Sequence, residues 1–143
     1  MVHQQVLTLY NFFVNQDKSI SCYKHKIRNG LVDEHRRTSF IKNGQKVAHK
    51  AYISIKNVDN YVDERGWGQA EDADKAIYYT VKDDGFDFIV VGDCGVVIDT
   101  TSTATIQASI ADINKDYKTY KIGAYDTKFH GSPYMWHIEV GIS

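Results

Sequence analysis

Strict alternation of side chains near the C-terminus is the feature that most constrains the fold of this chain. Tyr134, Trp136, Ile138, Val140 and Ile142 occupy every second position of the segment that starts at Tyr134. Side chains point alternately to the two faces of a β-strand, so this period places all five on one face. The segment therefore predicts a closing strand with one apolar side.

Further strand and hairpin signals lie in the N-terminal half. VLTLYNFFV (6–14) and ISCYKHKI (20–27) flank the turn-forming residues NQDK, and together they predict a hairpin. Asn29-Gly30 predicts a break in the chain. Asn43-Gly44 suits a type I′ turn because both residues tolerate positive φ, and it leads into the return strand QKVAHKAYISIK, in which apolar residues alternate again.

The C-terminal half adds a second strong hairpin signal, a loop and a helix. AIYYTVK and FDFIVVG flank Asp83-Asp84-Gly85, which predicts another hairpin. Residues 57–76 carry eight charges and no clean period, and they predict a long polar connection with Trp67 as its anchor. SIADINKDY (109–117) predicts the only helix, with Ser109 as its N-cap.

Composition supports one β-rich domain. The chain has 143 residues, 13% of them aromatic, and aromatic and β-branched residues favour strands. A length of this kind is enough for one hydrophobic core. We therefore expect a single domain spanning 1–143, mainly β, built as a small antiparallel β-barrel or sandwich with one short α-helix near 109–117 and a long polar loop near 57–76.

Motifs for enzymatic chemistry do not emerge from the sequence. Cys22 and Cys94 are 72 positions apart and lack zinc-ligand spacing, so packed free thiols are expected rather than a metal site or a disulfide framework. No phosphate-binding glycine loop or nucleophile elbow is present. The N-terminus does not resemble a signal peptide, and no run approaches the ~20 apolar residues of a membrane span. We expect no enzyme, no cofactor and no membrane partner.

Charge is distributed unevenly along a chain whose net charge is only −1. Residues 1–56 carry ten Lys/Arg against three Asp/Glu, whereas residues 57–143 carry seven against fifteen. The two sets of charges either mix on one surface or form a dipolar subunit. A dipolar subunit can dock its basic surface on the acidic surface of a neighbour, and such a contact closes into a ring if the rotation permits.

Several segments together resemble a known family. VLTLYNFF, ISCYKHKI, YVDERGW, FDFIVVGD, SIADINKDY and the ending GSPYMWHIEVG are similar, in this order, to phage and prophage neck proteins of the head-tail connector type. These proteins are also called head-closure, stopper or minor capsid proteins. The resemblance spans nearly the whole chain, and its ending is the most specific part.

The resemblance implies a structural component of a tailed-phage virion neck, made in the host cytoplasm. Such a protein is a small barrel that forms a homo-oligomeric ring between portal or adaptor proteins and tail-side neck proteins, with genomic DNA passing near its central opening. The interface residues implied by charge are Arg36, Arg37, Lys50, Asp59, Asp63, Glu64, Glu71, Asp72 and Asp74. The residues expected to have structural roles are Trp67, Gly131, Ser132, Pro133, Trp136 and His137. In this interpretation Gly131 to Pro133 set a turn, Trp136 packs inward and His137 faces outward or a contact.

Two other function classes stay open. A carbohydrate-binding β-sandwich would use aromatic side chains such as Tyr61 and Trp67 to stack on sugar rings. A small hydrolase would pair His137 or His130 with a carboxylate. Basic residues from Lys24 to Arg37 could also follow a phosphate backbone, although solvated strand faces are the commoner explanation and the near-neutral net charge weakens the case for DNA.

Overall fold

Eight strands and three short helices make up the structure, a computed structural model that describes residues 2–33, 37–40, 46–49, 51–56 and 58–142. The strands are β1 (Val2–Val14), β2 (Ile20–Asp33), β3 (Arg37–Phe40), β4 (Lys46–His49), β5 (Ala51–Ile55), β6 (Phe88–Val91), β7 (Lys118–Lys128) and β8 (His137–Ile142). The helices are α1 (Glu64–Gln69), α2 (Asp72–Ile77) and α3 (Thr103–Asp116), with a 3₁₀ helix at Pro133–Met135.

Six of the strands close into an antiparallel barrel in the order β1-β2-β5-β8-β7-β6, and β3 and β4 form a separate two-stranded sheet. This confirms the prediction of a mainly β antiparallel barrel. The first predicted hairpin is also confirmed. β1 and β2 are antiparallel partners, and their pairing runs from Val2 opposite Asp33 to Val14 opposite Ile20. The Asn43-Gly44 turn lies outside the described residues.

Long strands β1 and β2 extend beyond the closed part of the barrel. β1 pairs with β6 only through Leu7–Tyr10, and β2 pairs with β5 only through Gly30–Asp33. Residues 11–14 and 20–24 therefore continue as a two-stranded ribbon at one end of the barrel. We call this end the ribbon end; the opposite end is where β2 stops at Asp33.

Two apolar clusters lie on the inner and outer faces of the β1–β2 sheet. Leu7 and Leu9 point into the barrel, which is filled by inward side chains such as Ile53, Ile89 and Val140. The outer cluster is formed by Tyr10, Phe12, Phe88, Val90, Cys94, Ile98 and Ile113. Because Ile113 belongs to α3, this helix covers part of the outer face of the barrel.

The helices differ in extent from the prediction. α3 starts at Thr103, six residues before the predicted N-cap, because Ser102 and Thr105 form a reciprocal capping box there. Ser109 lies inside the helix and donates to the Thr105 carbonyl at 2.9 Å. The predicted loop 57–76 contains α1 and α2, each of six residues. Helices this short show too little periodicity to be recognised in a sequence.

Two predicted strand features are wrong. β2 continues through Asn29-Gly30, so the chain does not break there, although the pairing register with β1 shifts at this point, from Gln5 opposite Gly30 to Leu7 opposite Ile27. A Cβ at Gly30 would lie 2.3 Å from Leu7 Cδ1, a close approach that favours glycine. Residues 77–82 do not form a hairpin with β6; the partners of β6 are β1 and β7. Residues 79–82 are instead buried at the ribbon end of the barrel.

Candidate functional site

A buried polar network closes the free edge of β1 where its pairing with β6 ends. The Asp87 carboxylate accepts from the Phe12 backbone N–H at 2.9 Å, and the Lys82 ammonium donates to the Phe12 carbonyl. Asn11 donates to Asp87 at 2.7 Å and to the Thr80 carbonyl at 2.8 Å. Side chains thus replace the hydrogen bonds of a neighbouring strand, and the edge is blocked against pairing with another chain.

Burial dominates the electrostatics of this network. It raises the pKa of Asp87 from 3.8 to about 6, against the opposing effects of Lys82, the Phe12 N–H and Asn11. Lys82 lies 3.6 Å from Asp87 and 3.4 Å from the more exposed Asp84. The network is a structural closure with one titratable carboxyl group.

Trp67 anchors α1 and α2 to the ribbon. It is 1% exposed, and its indole N–H donates to the Tyr78 carbonyl at 2.8 Å. Its ring meets the rings of Phe13 and Tyr23 edge-on at 5.9 and 5.7 Å. The buried Lys75 ammonium lies 4.2 Å from the Phe13 ring centroid, which adds a cation–π contact. Burial of Trp67 fits its expected structural role and removes it as a sugar-stacking residue.

The acidic residues predicted for an interface are all exposed, and we call this set the acidic face: Asp59, Asp63, Glu64, Glu71, Asp72 and Asp74. Two of them also have local roles: Asp63 caps α1 by accepting from the Gly66 N–H at 2.7 Å, and Asp72 accepts from the Tyr23 hydroxyl at 3.1 Å. The side chains of the other four are exposed to solvent and therefore accessible to a partner.

The basic residues predicted for an interface belong to the β3–β4 hairpin and its flanks. Arg37 starts β3 and pairs with His49 of β4. Arg36 and Lys50 lie outside the described residues. Within residues 34–50 the sequence has five Lys/Arg against one Glu, so we call this segment the basic hairpin.

An open apolar groove lies between the ribbon, α3 and the loop at Asp84–Phe86. Its volume is about 940 Å³. Apolar side chains form most of its lining: Phe12, Phe13, Val14, Ile20, Phe86, Phe88, Ile106, Ile110 and Tyr120. Val14 and Phe86 are 66% and 71% exposed, which is unusual for side chains of this size. Sequence reasoning missed this groove, because its walls come from four distant segments.

The turn between β7 and β8 is a second exposed apolar surface, and we call residues 129–136 the C-terminal tip. Tyr134, Met135 and Phe129 are 86%, 58% and 38% exposed. Gly131 has φ +78, and Met135 N–H donates to the Ser132 carbonyl at 2.8 Å, so the predicted turn is present. Pro133 begins the 3₁₀ helix.

The strand after the tip differs from the predicted alternation in its first residues. β8 starts at His137, and Tyr134 belongs to the 3₁₀ helix, so only Ile138, Val140 and Ile142 point into the barrel. Trp136 is half-buried against Phe129, with ring centroids 5.7 Å apart. The inward alternation therefore begins at Ile138, later than the sequence pattern suggested, because the turn and the 3₁₀ helix occupy the preceding residues.

His137 lies on the outer side of β8 and contacts a carboxylate. Its Nε2 is 3.1 Å from Glu139 Oε1 and its Nδ1 is 3.0 Å from the Met135 carbonyl oxygen. Both ring nitrogens thus face oxygen acceptors, an arrangement that orients the ring. This matches the outward placement expected for His137.

His25 lines a small cleft beside the part of β2 that precedes its pairing with β5. The cleft has a volume of about 140 Å³ and is also lined by Asn60, Ala76 and Tyr79. His25 is 5% exposed, and its Nε2 has no hydrogen-bond partner within the described part of the chain. Burial lowers the pKa of His25 from 6.5 to about 4. The imidazole is therefore neutral at pH 7.

The described residues contain no group of three or more His, Cys, Asp or Glu side chains placed to hold a metal ion. Among these same residues, no helix has the length and apolar character to span a membrane. Cys22 and Cys94 are free thiols, and Cys94 accepts from the Tyr10 hydroxyl at 3.3 Å.

These features define a small closed antiparallel barrel with an acidic face, a separate basic hairpin, an apolar groove and an apolar tip. The chain belongs to a family of unknown function (DUF6751), whose model matches residues 2–143. No curated protein and no solved structure matches the chain.

Proposed function

We propose that this protein is a structural subunit of a homo-oligomeric ring, of the head-tail connector type, in the neck of a tailed-phage virion. Its neighbours would be portal or adaptor proteins on one side and tail-side neck proteins on the other, with DNA passing through the ring. The observation that carries the proposal is that the residues of the acidic face are all exposed, while the basic residues cluster in a separate segment of the chain, the basic hairpin, which follows the end of β2.

The separation follows from the path of β2. Tyr23 near the start of this strand contacts Asp72 of the acidic face, and Asp33 at its end leads into the basic hairpin. Ten residues of strand separate these two points, which corresponds to about 33 Å at the usual rise per residue. We propose that each charged surface meets the oppositely charged surface of a neighbouring subunit.

The charges of the two surfaces are complementary. Residues 58–74 have six Asp/Glu against one Arg, and residues 34–50 have five Lys/Arg against one Glu. Exposed ion pairs contribute roughly 0.2–1 kcal/mol each and are weakened by salt. A handful of such pairs sets the orientation of neighbours but gives only a weak interface, so other contacts must add to it.

A head-to-tail contact of this kind is heterologous and closes into a ring when the rotation between neighbours permits. Acidic residues left free after assembly would repel DNA from the wall of the central opening, so that DNA can pass without binding. The packed interior of the barrel is consistent with a structural subunit whose working surfaces are all on its exterior.

Charge reversal tests the proposal. Glu64→Lys with Glu71→Lys lowers the acidic excess of residues 58–74 from five charges to one, and Arg37→Glu with Lys46→Glu removes the basic excess of residues 34–50. Each double variant should lose the self-association that we expect at low salt by sedimentation velocity, and a mixture of the two variants should recover heterologous contacts. Asp112→Lys with Lys115→Glu, an exposed pair on α3, is the matched control. Self-association that is insensitive to both reversals would contradict the proposed interface.

Location in the virion tests the phage assignment separately. An antibody or gold label against this protein should bind at the head-tail junction of virions that contain it. Labelling of the capsid shell or tail fibres, or no labelling of purified virions, would contradict a neck position.

Carbohydrate binding remains a second candidate because the C-terminal tip presents an exposed aromatic side chain, Tyr134. Aromatic rings of this kind can stack on sugar rings. The residues first considered for this role do not support it equally: Trp67 is buried and Tyr61 is half-buried. Binding of the monomer to a glycan array, lost in Tyr134→Ala, would favour this function.

A further inference from the structure

Three basic side chains form a row on the outer face of β2. Lys24, Lys26 and Arg28 are exposed. The residues between them, His25 and Ile27, are buried. Side chains point alternately to the two faces of a strand, so the three cations share one face. At about 3.4 Å per residue, the row is about 14 Å long. We call it the basic stripe.

The loop after β6 brings the charges of the stripe together. The Lys24 ammonium donates to the Cys94 carbonyl at 3.1 Å, and the Lys26 ammonium pairs with the Asp93 carboxylate at 2.8 Å. The bond to Lys26 lowers the pKa of Asp93 most, and the charges of Lys24 and Arg28 lower it further. All three cations therefore lie close enough to act on one carboxylate.

The stripe keeps an excess of positive charge after this pairing. Three cations against the Asp93 carboxylate leave two positive charges. The Lys26 and Asp93 side chains are 42% and 60% exposed, so their ion pair is in contact with water and is weak. A polyanion can displace Asp93 from Lys26. The loop also leaves room for it, because a Cβ at Gly95 would meet nothing within 4 Å.

We infer that the basic stripe binds the phosphate backbone of duplex DNA, without regard to base sequence. Lysine and arginine side chains gain affinity for DNA by neutralising phosphates and releasing counterions. Each strand of B-DNA carries one phosphate per 3.4 Å of helix axis, so a stripe of about 14 Å spans about four nucleotides of one strand. The duplex is stiff over such a distance and presents its phosphates in a regular row.

Duplex DNA fits this surface better than a single strand does. Proteins that bind single strands stack the bases on aromatic side chains. Beside the stripe, Tyr117 is half-buried, and its hydroxyl donates to the Asp93 carbonyl at 3.3 Å. Its ring also lies against Gly92, where a Cβ would be 3.3 Å from the ring edge. The ring of Tyr117 is therefore not presented for stacking.

The stripe is complete within one subunit, so DNA binding does not require ring formation. It is also separate from the acidic face, because Asp72 of that face contacts Tyr23, which points to the other face of β2. Three phosphate contacts are few compared with the 6–10 or so that strongly salt-dependent DNA-binding proteins make. The contact is therefore weak, and DNA can move along it.

Fluorescence anisotropy of a short labelled duplex tests the inference. Two to three phosphate contacts predict a slope of about −1.8 to −2.7 for log K against log salt concentration. Affinity should therefore fall roughly 12- to 40-fold between 50 and 200 mM salt. Lys24→Gln and Arg28→Gln should each weaken binding to every duplex sequence and make the slope shallower by about one. Both side chains are exposed, so thermal melts should show folded variants.

Removal of the competing carboxylate gives a result of opposite sign. Asp93→Asn should bind the duplex more tightly than the wild type at the same salt concentration, because it frees Lys26. Asp112→Asn is the matched control: it removes the carboxylate of another exposed ion pair, with Lys115 on α3, and changes the net charge equally. It should bind like the wild type. An equal gain in both variants would show an effect of net charge alone and overturn the inference.

Other outcomes would also overturn it. These are an absence of duplex binding at 50 mM salt, tighter binding to a single strand of the same length, and binding to vesicles of anionic lipid but not to DNA. Loss of binding in Arg37→Gln with full binding in Lys24→Gln and Arg28→Gln would place DNA on the basic hairpin instead. If the stripe variants lose DNA binding and the protein never forms rings, the stripe stands and the proposed function fails. If charge reversal abolishes self-association and the stripe variants bind DNA like the wild type, the reverse holds.

Discussion

Replacement of His25 by leucine should change how the stability of the protein depends on pH. His25 is buried beside Tyr79, with ring centroids 6.2 Å apart, and burial lowers its pKa from 6.5 to about 4. Below pH 6.5 the unfolded chain therefore binds a proton at this position that the folded protein does not bind until about pH 4. The stability that His25 contributes is present above pH 6.5 and is lost as the pH falls through this window.

The magnitude follows from the shift in pKa. At about 1.36 kcal/mol per pKa unit, the acid loss between pH 7.5 and 4.5 is about 2–3 kcal/mol. Asp87 acts in the opposite direction: its pKa is raised from 3.8 to about 6, so its contribution is fully present below pH 3.8 and is lost as the pH rises through 6. The two buried groups oppose each other, and the wild-type curve between pH 6 and 4.5 should be shallow.

Urea unfolding at several pH values between 7.5 and 4.5 measures the effect as a difference between variant and wild type. The stability of His25→Leu relative to wild type should rise by about 2–3 kcal/mol toward the acid end, and the contribution of Asp87 cancels in this difference. His130→Leu is the control for replacing an imidazole with leucine, because His130 is exposed. A constant difference for His25→Leu would show that the imidazole is not desolvated in the folded state.

Three further predictions concern stability. Trp67→Ala should destabilise the protein by about 3–5 kcal/mol in chemical denaturation, and Trp136→Ala by less than half of that, since only the first is fully buried; equal losses would contradict these placements. Ser102→Ala should lower stability by about 0.5–2 kcal/mol in thermal melts through loss of the α3 cap, whereas Ser102→Thr should retain most of it. Gly92→Ala should cost about 1–3 kcal/mol because Gly92 has φ +125, and Gly95→Ala, where a Cβ meets nothing within 4 Å, should be close to neutral in the same melts.

The barrel was predictable because its inward side chains alternate without interruption. Ile138, Val140 and Ile142 show the period of two in sequence and point into the core in the structure. The hairpin of β1 and β2 was predictable because a clear turn separates two apolar runs. These features are local, and local patterns can be read from a sequence.

Features that depend on distant partners were not predictable. Gly30 resembles a turn residue, but its role is the close approach of Leu7 from the neighbouring strand. Residues 79–82 resemble a strand, but they form an isolated parallel bridge at Tyr79 with Tyr61, and Asn11 bonds their backbone at Thr80. α1 and α2 owe their position to the burial of Trp67 rather than to a helical period.

The candidate site shows the same division. The uneven charge was visible in the sequence, and the structure shows that the acidic residues predicted for an interface are exposed. The groove was not visible, because Phe12, Phe86 and Ile106 come together only in the fold. One available signal was overlooked: Asp87 interrupts the otherwise apolar run from Phe86 to Val91, and a charged residue in such a run often marks a buried network.

Electron microscopy of the purified protein, concentrated at low ionic strength, tests most directly whether this chain is a subunit of a ring. We expect closed rings with a central opening that dissociate as salt is added. Particles that remain single barrels at every protein and salt concentration, and that also fail to assemble when virion neck components are supplied, would contradict it.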